Sequence, residues 1–378
     1  MTNNNPKILN LNNSLPLYLL TGFLIAVLTS CAKRDPGTEV NVNLSKEAKL
    51  SAMKMLENTR QITLFEAPEG IIFVHVTKIV AFDDYFVSLI DIGHPALFVH
   101  NRRGEFLHKI GRQGRGPGEY INLNDFTITP RGTILALYAN RIMLEFGLDG
   151  TLLNEKRLEY GCVSFEVDNE GNWYLYLSYN SGSDPNRLFV LDKNLYVTNR
   201  FFNEPNQLFP FQGTNFVRDN GSVFFREPFS NTAYKLSGGE IRPYITYDWG
   251  IHSFDPEMFS LDAMKILQHV NEGKFYTFRS FINRGDFSYA SFSDGANNLF
   301  IHVVHNKMND SLRVFVSDPV IERLTDALQI NSEGELVFAL PGSSLNSLVA
   351  ENPGVLEKLQ PTQFDENAHY LLHLCPWE

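Results

Sequence analysis

Gly104, Gly150, Asn194 and Gly239 stand 46, 44 and 45 residues apart. Each lies in a polar turn between two short apolar or aromatic runs: "FVHNRRGEFLHKI" (98–110), "LEFGLDGTLLNEK" (144–156), "FVLDKNLYVTNRF" (189–201) and "YKLSGGEIRPYI" (234–245), with "VFVSDPVIERL" (314–324) continuing the series. A fixed period of this length means one small unit repeated, because such a unit cannot bury its apolar face alone and must stack on copies of itself. A second set of turns interleaves with the first: "FDDYF" (82–86), "TPRGT" (129–133), "DNEGN" (168–172), "RDNGS" (218–222), "SDGAN" (293–297) and "NSEGE" (331–335). Gly, Asn and Asp serve tight hairpins through positive φ and side-chain bonds to the backbone. Six such turns predict six units, each strand, turn, strand, link, strand, turn, strand.

That unit is a four-stranded propeller blade, so the fold class expected is all-β, a six-bladed β-propeller. The 30 Phe and 15 Tyr agree, since aromatic side chains favour pleated, half-buried surfaces. The runs "WYLYLSY" (173–179), "SVFFRE" (222–227) and "NLFIHVVH" (298–305) are expected as middle strands. A doubly wound α/β fold has no room here for its crossover helices. The rhythm breaks twice. In 253–273, "SFDPEMFSLDAMKILQHVNEG", Asp255 is the expected N-cap, Pro256 the first helical residue and Gly273 the stop. Segment 343–359 is expected to give one or two short helices. The sixth unit runs out after three strands, while "RQITLFE" (60–66) lies unassigned before the first. Pairing it with "HYLLHL" (369–374) as the outer strand of the last blade closes the ring and removes two free edges.

Residues 1–30 do not belong to this fold. "LPLYLLTGFLIAVL" (15–28) is too short for a stable membrane anchor and reads as a signal segment. Leu28-Thr29-Ser30-Cys31 resembles the bacterial lipobox, which implies lipidation of Cys31 at the mature N-terminus. The domains expected are therefore a lipoprotein signal peptide over 1–30, a tether over 31–59 with an amphipathic stretch at 45–56, and the propeller over 60–378. The formal charge of −11 argues against a nucleic-acid partner, and loss of 1–30 would remove only the single charge of Lys7. Cys162 and Cys375 are the remaining thiols; spacing does not decide whether they pair.

The segment 111–150, "GRQGRGPGEYINLNDFTITPRGTILALYANRIMLEFGLDG", resembles the NHL repeat: a glycine-rich link ending in an aromatic, a strand, a polar turn with glycine, a strand, an Asn-Arg-Ile step and a strand ending in Asp-Gly. With the lipobox, the helical insertion and "DENAHYLLHL" (365–374), the whole chain resembles six-bladed propeller lipoproteins of Bacteroidetes. NHL-type propellers include RNA binders, lyases and scaffolds, so the resemblance implies a fold rather than an activity. An Asp usual in the inner strand of that repeat is missing near "ILALYANRI".

The glycine-rich link is not a phosphate cradle, since it lacks the lysine, the hydroxyl and the following helix that a P-loop needs. It is either a permissive crossing between blades, with Arg112 and Arg115 paired locally, or a ligand site in which one of them holds an anion beside Glu119. Arg279 and Arg284 are further ligand candidates, if the 253–273 insertion forms a lid over the channel rather than a cover for blade surface. His302 and His305 point to opposite faces of a strand, and His369 and His373 are about 13 Å apart in rise, so no shared metal is expected. Asp83, Asp84, Asp168 and Asp219 sit in turns, where Asp has a backbone role. No catalytic motif of the G-x-S-x-G kind occurs.

The expectation is a lipid-anchored cell-envelope propeller, outer-membrane and periplasmic or surface-facing, that binds a small molecule, a glycan or an envelope protein without catalysis. No cofactor and no nucleic acid is expected, and membrane contact only through lipid. The alternative is an exported lyase or hydrolase with its site in the channel; a third reading is an envelope scaffold. Replacement Cys31→Ala should move the protein from the membrane fraction to the soluble fraction on fractionation, and an unchanged distribution would contradict lipidation.

Overall fold

Six antiparallel sheets carry the repeat. Blade I is His75–Phe82, Tyr85–Asp91, Pro95–Asn101 and Phe106–Ile110; blade II is Leu123–Ile128, Ile134–Tyr138, Ile142–Phe146 and Leu152–Arg157. Blade III is Ser164–Val167, Trp173–Tyr176, Asn186–Leu191 and Val197–Asn203; blade IV is Phe216–Asp219, Ser222–Arg226, Thr232–Ser237 and Glu240–Asp248. Blade V is Thr277–Arg284, Phe287–Asp294, Leu299–Asn306 and Ser311–Ser317. Blade VI takes Gln329–Ile330, Leu336–Pro341 and His369–Leu374 from the end of the chain and Thr59–Phe65 from its beginning. The computed structural model describes residues 37–42, 44, 49–178, 184–203, 214–318, 324, 326–352, 354 and 363–377, without side chains for 49–53. The signal-peptide reading of 1–30 and Cys31 lie outside them. No helix among the described residues is long and apolar enough to cross a membrane.

The six-bladed propeller with closure between the two ends of the chain is therefore the fold. Its core is six separate seams, one between each pair of neighbouring blades. Blades I and II share Val87, Leu97, Phe126 and Phe146, and blades V and VI share Tyr289, Phe315, Phe338 and Leu372. Strand alternation explains this: a blade is sandwiched between two others, so both of its faces are buried and its middle strands read as almost continuous apolar runs.

The closing strand is held at full length. Phe65 pairs with His369, Thr63 with Leu371 and Thr59 with Leu374. It is also locked to blade I: Glu66 N donates to the Gly104 carbonyl at 2.9 Å, Phe106 N donates to Glu66 Oε2 at 2.9 Å, and His100 stacks on Phe65 with centroids 3.9 Å apart.

Several sequence expectations need correction. The left-handed position in the third-to-fourth-strand turn of blade III is Leu195, φ 67°, rather than Asn194, so a non-glycine residue occupies the place of Gly104 and Gly150. "SDGAN" joins the second and third strands of blade V; the hairpin between its first two strands turns at Gly285, φ 52°. The insertion is two 3-10 turns, Gly250–His252 and Pro256–Ser260, followed by a helix, Ala263–Asn271. Asp255 caps the second 3-10 turn through Glu257 N, and Asp262 caps the helix through Lys265 N, both at 2.9 Å. Gly342–Glu351 is the helix of the last blade, and 355–360 lie outside the described residues.

The segment read as a tether is partly built into the ring. Thr38–Asn41 adds a parallel fifth strand to blade IV, Lys49–Ser51 does the same on blade V, and a short helix, Ala52–Leu56, follows. An outer strand offers unpaired backbone groups that composition does not reveal, and the leading segment covers two such edges.

Three histidines in these seams are neutral. His302 accepts from the Tyr289 hydroxyl at Nδ1 (2.9 Å) and donates from Nε2 to Ser317 Oγ (2.8 Å), whose own hydrogen goes to the Leu324 carbonyl. Burial lowers His302 to about 3, and His100 and His369 to about 4, the last also repelled by His75. Nδ1 of His100 and of His369 has no partner among the described residues, so a proton there would be buried unpaired. In the unfolded chain the same groups titrate near 6.5, so below that pH the unfolded state binds more protons and stability falls. Chemical denaturation should show a stability constant in these histidines above pH 7 and falling between pH 6.5 and about 4, by up to about 1.4 kcal/mol per pH unit for each; a flat profile there would contradict their burial.

Gly104 and Gly150 provide a matched pair. Both have positive φ, but a methyl at Gly104 would stand 2.1 Å from the Leu64 carbonyl oxygen of the closing strand, whereas at Gly150 the nearest atom is 3.6 Å away. Each alanine should cost about 1–2 kcal/mol from backbone strain, and Gly104→Ala about 1–3 kcal/mol more from overpacking. Equal losses in thermal unfolding would contradict the tight seam.

Candidate functional site: the central channel

Each blade's first strand lines the axis, and these strands run in the same direction. All the first-to-second and third-to-fourth-strand turns therefore lie on one face, here the hairpin face. The blade-to-blade links and the insertion lie on the other, the link face. Between them is a cavity of about 780 Å³. Its wall includes Thr77, Thr127, Glu166, Arg218, Arg279 and Gln329, one residue from the first strand of every blade, and the helix Ala263–Asn271 contributes Leu267 and Val270. Ile266 fixes that helix by packing with Phe229, Phe254 and Phe275. The insertion is thus both a cover for blade surface and part of the cavity wall.

The ionisable residues of the wall are held in three ways. Two pairs are tight: Lys78 Nζ to Asp125 Oδ1 at 2.8 Å, with a second bond to the Phe126 carbonyl at 2.7 Å, and Arg279 to Asp326, bidentate at 2.8 and 3.2 Å. Arg279 also lies over the Phe300 ring, and Asp326 accepts from Ser291 Oγ. Although burial opposes it, the Arg279 guanidinium and this hydroxyl keep Asp326 below the usual carboxylate range. Two carboxylate contacts are long, Arg218 to Glu166 at 4.0 Å and Arg284 to Asp219 at 3.6 Å, and Arg218 donates to the Val167 carbonyl at 3.3 Å and to the Ile128 carbonyl. Arg226 donates to the carbonyls of Phe278 and Thr214, and Arg102 to that of Asp83.

Glu166 is buried at the end of its strand, accepting from Thr127 Oγ1 at 2.6 Å and from Val167 N at 2.9 Å. Burial pushes its carboxyl upward, against the pull of Arg218 and Lys78. His75 and His373 also reach the cavity, and burial lowers both. Among the described residues no three His, Cys, Asp or Glu are placed to share a metal ion. Cys162 and Cys375 are buried free thiols.

The five candidates from sequence fall into two groups. Arg279 and Arg284 line the cavity. Arg112, Arg115 and Glu119 do not: Arg112 Nε bonds Glu119 Oε1 at 2.6 Å, and Glu119 Oε2 accepts from Gly116 N at 2.8 Å. The Gly116 amide and then Arg112 lower the Glu119 carboxyl. The link closes on itself over Tyr120, whose hydroxyl donates to the Ile110 carbonyl at 2.7 Å, and a side chain on Gly111 would meet that ring at 2.7 Å. Gly111 makes room for that aromatic at the seam between blades I and II, and Gly114 and Gly116 make room for the Glu119 carboxylate.

Sequence reasoning missed Lys78, Glu166, Arg218, Arg226 and Asp326. A signal was present. The first strands of blades II to V each carry an ionisable residue third from their start, Asp125, Glu166, Arg218 and Arg279, next to the hairpin in the short strand of blade IV and near the link end in the long strand of blade V. Asp219, read as a turn residue, accepts from Asn283 Nδ2 and Gly285 N and so ties blade IV to blade V.

Among solved structures the chain is similar to BF0058 from Bacteroides fragilis NCTC 9343, a protein thought to be exported, at 18% identity and a TM-score of 0.71 over 89% of this chain and 98% of that one. A DUF4221 member from Bacteroides vulgatus ATCC 8482 matches at 10% identity and a TM-score of 0.49 over 84% and 97%. The first likeness supports the propeller fold. No curated protein matches the sequence. Residues 38–370 match the family described as "Domain of unknown function (DUF4934)", and the chain belongs to that family.

Proposed function

We propose that this chain is an exported, lipid-anchored envelope propeller of the NHL-like kind that acts as a binding module, with its ligand in the central channel. The observation that carries the reading is the cavity itself: about 780 Å³, within the range of small-molecule sites, with a wall that mixes apolar side chains with many polar and charged ones. The candidate ligand residues are Arg279 and Arg284. Export is supported by the apolar segment at 15–28 and by the similarity to BF0058. The partners that fit are a small molecule or glycan in the channel, or an envelope protein at one face, and the acidic chain disfavours nucleic acid.

One observation favours a second reading, an exported lyase or hydrolase. Glu166 is a buried carboxyl with raised pKa on the cavity wall, beside Arg218 and Lys78, the combination expected of a proton donor.

Thr77 is an exposed residue of the wall, so Thr77→Trp should fill the channel without unfolding the blade. In a thermal-shift screen of small molecules and glycans, wild-type protein should gain stability with at least one compound, and Thr77→Trp should lose that gain. Arg112→Ala should keep it. A compound that stabilises the wild type and Thr77→Trp equally would place binding outside the channel.

A further inference from the structure

We infer that the channel ligand is an elongated amphipathic anion, its charged head at the hairpin face between Arg218 and Arg284 and its apolar body running under the insertion helix. The inference rests on the channel-binding reading and adds the chemistry. The two ends of the cavity differ. At the link face the wall is Leu267 and Val270 of the helix, Pro228 and Phe229 after the second strand of blade IV, and Phe278 near the start of the first strand of blade V. Two cations stand near them: Arg279 is neutralised by its bidentate contact with Asp326, and Arg226 is buried, donating to the Phe278 and Thr214 carbonyls. At the hairpin face stand Arg218, next to last in the first strand of blade IV, and Arg284, the last residue of the first strand of blade V.

Neither arginine makes a short contact to a carboxylate: Arg284 is the loosely held one, while Arg218 donates to the Val167 carbonyl at 3.3 Å and to the Ile128 carbonyl. Their carboxylate contacts are 4.0 and 3.6 Å, against 2.8 Å for Lys78 and for Arg279. Arg284 is half exposed, and Asp219 Oδ1 beside it is buried without a hydrogen bond among the described residues. Glu166, the counter-charge of Arg218, is weakened as an anion by burial. A carboxylate, sulfonate or phosphate monoester would give Arg284, and the remaining donors of Arg218, the short charge-assisted bonds to an anion that neither now makes. Phe278 and Arg284 lie six residues apart on one strand, a rise of about 20 Å, so a ligand touching both ends must be long. A chain of that length with an anionic head is a long-chain acyl carboxylate or an amphiphile of similar shape.

The probe is 11-(dansylamino)undecanoic acid, compared with its methyl ester, which keeps the body and removes the charge. Fluorescence titration should show the acid bound and the ester at least tenfold weaker. Arg284→Gln should weaken the acid about tenfold, the effect of one charge-assisted bond, leave the ester unchanged and be partly rescued by Arg284→Lys. Leu267→Asp should weaken both. Acid and ester bound equally, and both lost in Thr77→Trp, would overturn the anion and leave the channel reading intact. Neither probe bound would overturn this inference, while the channel reading would still answer to its own screen. Binding that Thr77→Trp does not alter would overturn both.

Discussion

The ring depends on the pairing of Thr59–Phe65 with His369–Leu374. In five of the six blades the four blade strands are consecutive, with a leading strand added at the edge of blades IV and V, and only this blade draws its four from both ends of the chain. Without it, Leu371 and Leu372 would lie on an open edge, and the seam to blade I would lose Phe65. A propeller has no core except its seams, so an opened seam exposes apolar surface on two blades at once. The cavity depends on the same pairing, because Thr77 and His75 come from blade I and Gln329 and His373 from blade VI.

Polar groups close that seam as much as apolar ones. Glu66 is joined to the Gly104 turn and to Phe106 by backbone and side-chain bonds, and His100 donates to the Glu66 carbonyl while stacking on Phe65. These bonds fix register, since a strand shifted by one residue would turn Phe65 outward. They also make the seam sensitive to protonation, because His100 and His369 are buried as neutral rings.

Blade number, blade construction and closure were legible in the sequence because they rest on periodicity and on turn chemistry, both local. Local information failed where the ring imposes a conformation. Leu195 takes positive φ in a turn whose equivalents use glycine, so a glycine count misplaces the turn by one residue. The leading strands at 38–41 and 49–51 read as tether because their partners, the outer strands of blades IV and V, lie some 200 to 270 residues further along the chain. The glycine-rich link drew attention as a possible anion site, yet its Arg112–Glu119 pair closes the loop. The wall residues that matter more, Glu166 and Arg218, are single charges inside short apolar strands, visible only once the strands of different blades are set in register.

Ring closure and global stability are one event in this fold. Native-state hydrogen exchange, followed with increasing denaturant, tests this at segments 59–65 and 369–374 against the middle strand Ile134–Tyr138 of blade II. The closing strands should exchange with the same free energy and the same denaturant dependence as the blade II strand, that of whole-propeller unfolding. Exchange of 59–65 through a cheaper, separate opening while blade II stays protected would show that the ring stands without its clasp.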